Sequence, residues 1–203
     1  MYVYFLFNYS LSEENFINQL QAGKQAAFSQ LLDDYQQKVF GTCISFIPNR
    51  EDAEDVAQEV FLEVFKSVSK FKGDSKLSTW IYKVATNKCL EFIRKKNTKK
   101  RFAFMQTILG NEIPLDKTSY FTEVNHPGIL LENKEKSAII FKAINTLPEA
   151  QRVVFTLAKI DDKSYQEIVD ITGKSLSSVE SLMFRAKKGL QEKLENFYKN
   201  ESS

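Results

Sequence analysis

Glycine and proline are scarce in this chain, at seven and four in 203 residues. An all-β protein needs many more turn residues, so the scarcity points to helices. Cysteine is nearly absent. Cys43 and Cys89 are the only two, and neither has a Cys or His close by in sequence. That excludes a disulfide scaffold and a zinc cluster, and it suits small core residues in a reducing compartment. Histidine occurs once, as His126, which cannot form a catalytic dyad alone. Long hydrophobic runs are missing too. The apolar stretch Met1–Phe7 is too short to span a bilayer and lacks the basic flank and small-residue cleavage site of a signal peptide. A stray strand, a docked tail and residues upstream of the true start all remain open for it. A cytoplasmic protein is expected, with no enzymatic activity, no metal, no cofactor and no small-molecule substrate.

Charge is present in abundance but unevenly. The net is only +2, with 27% charged residues and 43% hydrophobic. Residues 51–63 carry six acids and no Lys or Arg, whereas residues 66–101 carry twelve basic residues and two acids. Two opposed runs this close together suggest two different partners; a pair of solvated faces is the plainer alternative.

Apolar spacing places the helices. Ser12-Glu-Glu opens a short one ending near Gly23. A longer one covers about Lys24 to Phe46 and breaks at Pro48-Asn49. From Glu51 to Phe71, residues Ala53, Val56, Ala57, Val60, Phe61, Val64, Phe65 and Val68 keep close to an i, i+3, i+4, i+7 pattern. Lys72–Thr79 reads as a loop, and a helix follows from Trp80 to about Lys96, ending in the basic run to Arg101. Periodicity then fades through residues 102–126, where Gly110 and Pro114 appear, with Pro127 just beyond. Further helices are expected over about 129–145, 148–160, 164–171 and 176–198. The expected architecture is all-α: two small helical domains, 12–100 and 127–200, joined by a flexible linker over 101–126.

The last two helices form a motif. Ser164 and Glu167 make an S-x-x-E capping box. Gly173 supplies the positive φ of a sharp helix exit, and Ser175 caps the next helix. Val169, Gly173 and Val179 have the spacing that holds two crossed helices together. This is the layout of a helix-turn-helix, which lays its second helix in a DNA major groove; short helix hairpins also occur as plain structure. Thr172-Gly-Lys-Ser175 shares the end of a phosphate-binding loop, but Ile168 stands where that loop needs its first glycine and no strand precedes it.

With these pieces in order, the chain resembles bacterial sigma factors of the extracytoplasmic-function group. The likeness rests on Asp52-Ala-Glu-Asp-Val-Ala-Gln-Glu-Val-Phe61, Phe71-Lys-Gly-Asp-Ser75, Ser78-Thr-Trp-Ile-Tyr-Lys-Val-Ala-Thr-Asn87, Arg94-Lys-Lys and the segment Leu147–Leu190. It covers about residues 12–100 and 127–195. The resemblance implies a promoter-reading subunit of RNA polymerase, used in transcription initiation and its regulation, whose partners are core polymerase and promoter DNA. An anti-sigma factor, often membrane-anchored in the family, is implied as a third partner.

By the same resemblance, Asp55, Gln58, Glu59 and Leu62 form the docking face for polymerase. An acidic surface repels DNA, so it faces either solvent or a basic protein. The loop and helix that open and read the −10 element would use Lys72, Lys76, Lys83, Lys88 and Arg94 for charge. Ser75, Ser78, Thr79 and Asn87 would bond bases or phosphates. Trp80 would stack on a base or lie in the core. The −35 element would be read by Ser177, Ser178, Ser181 and Arg185, with Lys187 and Lys188 on phosphates. Many family members have Lys-Ser-Arg after the valine, whereas this chain has Glu180-Ser181-Leu182. Glu180 either accepts from a cytosine amino group or points away from the groove. Two rival classes are a helix-turn-helix regulator that never acts as a sigma subunit and a polymerase-sequestering interaction module. The acidic helix and the −10-like loop count against the first, and the helix-turn-helix against the second.

Overall fold

The computed structural model describes residues 13–108 and 134–201, with side-chain environments over 13–99 and 139–195. The expectations for the first eleven residues, for His126 and for most of the linker fall outside the described residues. Among those described, every regular element is helical. A short α1 covers residues 13–21. It is followed by α2 (Gln25–Phe46), α3 (Arg50–Ser67), a 3₁₀ turn (Val68–Lys70) and α4 (Leu77–Ile108). The second half holds α5 (Lys134–Asn145), α6 (Glu149–Lys159), α7 (Tyr165–Thr172) and α8 (Leu176–Glu201).

Local chemistry sets most of these ends. The Asn49 side chain accepts from the Asp52 amide at 2.8 Å and caps α3, and Glu51 and Asp52 in its first turn suit the positive end of the helix dipole. Both ends of α4 differ from the sequence expectation, and α3 gives way to the 3₁₀ turn at Val68 rather than running to Phe71. α4 begins at Leu77 rather than Trp80, because the Trp80 amide already bonds the Lys76 carbonyl. It also continues past Lys96 to Ile108, into residues expected to be linker. No glycine or proline lies between Leu77 and Ile108 to break the helix, and its Lys, Arg, Leu, Ala, Glu, Gln and Met residues lose little freedom in one.

The first half packs α2 against α3 and α4. Leu31, Val39, Cys43, Ile44 and Phe46 of α2 meet Val56, Val60 and Val64 of α3 and Ile81, Ala85 and Cys89 of α4 in its core. The two sulfurs stand 3.7 Å apart as free thiols, Cys89 donating to Cys43. That bond and burial push the Cys89 thiol well up, so it stays protonated and unreactive.

The two halves do not stand apart. α7 packs on α4 and α6 on α2. Val154, Leu157, Ile168, Ile171, Val179 and Met183 belong to the same contiguous core as the first half. At the α6–α7 corner the Thr42 hydroxyl donates to Asp161 at 3.1 Å, and the Lys163 ammonium lies 3.9 Å from the centre of the Tyr82 ring. Asp162, beside them, takes φ 49°, a left-handed conformation that aspartate tolerates better than most residues.

Candidate nucleic-acid interface

The acidic face and the basic face lie on neighbouring helices. On α3, Ala53, Val56, Ala57, Val60 and Val64 turn inward, which leaves Asp55, Gln58 and Glu59 exposed. Among the described residues neither Asp55 nor Glu59 is in an ion pair, whereas Asp52 is held by Lys96 at 2.6 Å and Glu63 by Lys88 at 3.2 Å. The unpaired acids are therefore the outward ones. Leu62 is 58% exposed and Phe65 61%. Phe65 had been expected in the apolar stripe. Its register decides otherwise, because 55, 58, 62 and 65 follow one another by three or four residues and share a face. Its ring lies 4.7 Å from that of Phe28 on α2, and Leu32, one turn on from Phe28, is exposed. The result is an apolar shelf beside the acids, and Phe28, Leu32 and Phe65 are functional candidates that the sequence reading missed.

The loop before α4 is pinned from behind. The Gln21 amide donates to the Phe71 carbonyl at 2.8 Å and to that of Val68 at 3.3 Å, and Gly73 makes the turn at φ 76°. From this frame Lys72, Lys76, Lys83 and Asn87 are exposed, and Ser75 and Ser78 are half-buried. Thr79 is buried, so its hydroxyl is not presented to a strand in this arrangement. Trp80 packs on Phe71 with ring centres 5.2 Å apart. It also lines two clefts, of about 400 and 360 Å³, so one ring serves as both core wall and cleft wall. Lys88 bridges to Glu63 and Glu91. Arg94 reaches the second half of the chain, where it grips Glu149 through Nε at 3.2 Å and Nη2 at 2.5 Å. The pair holds the Glu149 carboxyl down and the guanidinium up.

In the helix-turn-helix, Glu167 accepts from the Ser164 amide at 2.9 Å while the Ser164 hydroxyl accepts from the Glu167 amide at 3.3 Å. The Ser164 amide and the Ser164 hydroxyl, which donates to the same carboxylate at 2.8 Å, hold the Glu167 carboxyl below its ordinary range. Gly173 turns at φ 68°, and Ser175 accepts from the Ser178 amide at 3.3 Å to cap α8. Val179, Met183, Ala186 and Leu190 then face inward, as does Leu182 at 9% exposure. Leu182 is thus a core residue, and its place in sequence is not a charge missing from the DNA face. The outward face carries Ser177, Glu180, Ser181, Arg185, Lys187 and Lys188, with Ser178 half-buried at its edge. Arg185 folds back onto its own helix, donating to the Ser181 hydroxyl at 2.9 Å. Phe184 stands on the same face at 70% exposure. Its spacing from Ser177 and Ser181 gave that position, but its apolar character hid it.

Among the described residues no group of His, Cys, Asp and Glu is placed to hold a metal ion, and no helix is long and apolar enough to cross a membrane.

Two family models match separate stretches of the chain. Sigma-70 region 2 matches residues 31–99, and sigma-70, region 4 matches residues 137–190. The ECF RNA polymerase sigma-E factor of Escherichia coli (strain K12) is 29% identical over 185 residues, covering 91% of this chain and 95% of that protein. The sigma-E factor of Haemophilus influenzae is 27% identical over 186 residues, covering 91% and 96%. Among solved structures, CnrH in complex with the cytosolic domain of CnrY has a TM-score of 0.64 at 20% identity, covering 91% of this chain and 97% of that one. The sigma factor RpoE in complex with the anti-sigma factor NepR, from Bartonella quintana, has a TM-score of 0.62 at 23% identity, covering 83% and 96%. At those identities the structural likeness speaks for the fold.

Proposed function

The chain belongs to the extracytoplasmic-function sigma factors, and from that premise we propose how its surfaces divide the work of directing RNA polymerase to promoters. The observation that carries the reading is a separation of charge by helix. α3 presents unpaired carboxylates and an apolar shelf outward, while the loop Lys72–Lys76, α4 and α8 present cations. The first surface suits a basic, amphipathic protein partner, and the second suits nucleic acid.

In this reading Asp55, Gln58, Glu59 and Leu62, extended by Phe65 and Phe28, dock on core polymerase. Lys72, Lys76, Lys83 and Asn87 track the melted −10 strand, and the two clefts beside Trp80 receive unstacked bases. Ser177, Ser181, Phe184 and Arg185 enter the major groove of the −35 element, with Lys187 and Lys188 on phosphates. The working units lie near residues 12–100 and 127–200, their common boundary moved by the extension of α4. The protein performs no covalent chemistry of its own, and it acts in the cytoplasm, where polymerase and chromosome are. An anti-sigma factor is a third partner, as NepR is for one structural neighbour, and the shelf of Phe28, Leu32, Leu62 and Phe65 is the surface it would compete for.

Run-off transcription tests this directly. Core polymerase with the chain should initiate on a subset of genomic fragments sharing two short elements upstream of the mapped starts. Starts identical with and without the chain would refute the assignment.

A further inference from the structure

A cavity of about 210 Å³ lies among residues that carry no role in the reading above. Its walls are mostly apolar, built from Phe46 at the end of α2, Ile47 and Pro48 beyond it, and Phe92 and Ile93 of α4. The polar lining is small and mostly spoken for. Asp52, the one carboxylate there, holds Lys96 at 2.6 Å, and the Asn49 side chain caps α3. Asn97, Asn145 and the guanidinium of Arg152 complete it.

Arg152 is the exception in this lining. It is only 8% exposed, a burial that arginine rarely has unless it is paired. Among the described residues its Nε is buried with no hydrogen-bond partner, and Nη1 reaches only the carboxamide oxygen of Asn145, at a long 3.4 Å. Burial holds the guanidinium below its ordinary value, against the field of Glu149. Glu149 itself spends both carboxylate oxygens on Arg94. A guanidinium stays charged in proteins, and a buried charge is costly until an anion pairs with it. The cavity therefore holds a cation whose matching carboxylate none of the described residues supplies.

We propose that this cavity is a ligand site for a small aromatic carboxylate of the benzoate class, its carboxylate on Arg152 and its ring against Phe46, Ile47 and Phe92. The planar fork of a guanidinium matches a carboxylate in both geometry and charge. An apolar cavity of about 150 Å³ accommodates one benzene ring. The space here takes one ring with its substituent, and it is smaller than the roughly 300 Å³ that a drug-sized molecule needs. Inorganic phosphate would match the charge, but it would carry a strongly hydrated anion against apolar walls. No Ser, Thr, Cys or His lines the cavity, so the molecule is bound rather than transformed. The site stands whether or not the chain directs polymerase.

Isothermal titration calorimetry of the full chain with sodium benzoate tests the site. Benzoate should bind saturably, one molecule per chain. It should bind about tenfold or more tightly than benzyl alcohol, which keeps the ring without the charge, and than inorganic phosphate, which keeps the charge without the ring. Asn145→Asp sets a carboxylate where Nη1 already bonds and so pairs Arg152 from within. That variant should keep the far-UV circular dichroism of wild type and lose about tenfold or more in benzoate affinity. A second readout needs no variant: in the isotope-labelled wild-type chain, benzoate should move the NMR signals of the Asn97 and Asn145 side-chain amides and of the Arg152 Nε–H. Absence of saturable benzoate binding overturns the proposal, which is also the result expected if another part of the chain fills the cavity. Equal affinity for benzyl alcohol or for phosphate overturns it, as does undiminished binding by a folded Asn145→Asp chain. Signals that move only around the exposed cations of α8 overturn it too, because the anion would then sit on the DNA-reading face.

Discussion

Raising the pH from 3.8 to about 7 should loosen the corner between the two halves, because Asp161 holds a proton there that it would release in water. Burial pushes its carboxyl from an ordinary 3.8 up to about 7, against the opposing pull of the Thr42 hydrogen bond and of Lys163. Its second oxygen is buried with no hydrogen-bond partner among the described residues, so no hydrogen bond there offsets the cost of burying a charge. The groups that act on it or feel it are Thr42 on α2, Tyr82 and Cys89 on α4, and the adjoining Asp162 and Lys163. Tyr82 is raised to about 12 and does not titrate near neutrality. Below pH 3.8 both packed and unfolded forms carry the proton. Between 3.8 and about 7 only the packed form keeps it, so stability falls as pH rises and then levels off. The full gap corresponds to about 4 kcal/mol at roughly 1.36 kcal/mol per pH step. Water at the rim of a partly exposed corner recovers some of it, leaving about 2 kcal/mol as the expected loss.

Asp161→Asn keeps the shape of the neutral acid and an oxygen for Thr42 to donate to, without the titration. Urea unfolding is followed by fluorescence of Trp80, the only tryptophan, which reports on the clefts that its ring lines. At about pH 3.5 the variant and wild type should nearly coincide; by about pH 5.5 roughly half of the difference should have opened, and at about pH 8.5 the variant should be more stable by about 2 kcal/mol, a rise of roughly 6 °C in melting temperature. Coincident curves at the higher pH, or a wild-type chain that gains stability on going there relative to the variant, would refute the reasoning.

Other perturbations separate the remaining surfaces. Asp55→Lys with Glu59→Lys should abolish binding to core polymerase with helical content unchanged, since both side chains are exposed; unaltered affinity in a salt-matched assay would remove the docking assignment. Loss of Lys76 and Asn87 together should slow promoter opening more than initial binding, and normal permanganate reactivity of the −10 region in that variant would show these positions to be wrong. Glu180→Lys should strengthen binding to every duplex and steepen its salt dependence by about one counterion; a change confined to one base would instead assign Glu180 a reading role. Gly173→Ala meets no atom within 4 Å, so its cost should be backbone strain alone, about 1–2 kcal/mol in thermal unfolding, and a neutral result would mean the turn relaxes.

The sequence alone determined the helices and the motif. Apolar spacing and the capping chemistry of Ser164, Glu167, Gly173 and Ser175 are local, acting within one or two turns, so they are legible wherever the chain is read. Charge segregation was legible for the same reason, since a run of acids on one helix stays on one helix. Side-chain fate was decided in three dimensions. Phe65 and Phe184 look like core residues by type, but their register places them outward, where both are mostly exposed although Phe65 still touches Phe28. Leu182 looks like a missing cation, but it completes the core beneath α8. Thr79 looks like a reading residue and is buried. Above all, the contact of α7 with α4 and the raised carboxyl of Asp161 join residues more than eighty positions apart in sequence. No local pattern encodes such a pairing, because it follows from which apolar faces are left uncovered once each half has folded, and that is settled only when both halves are in place.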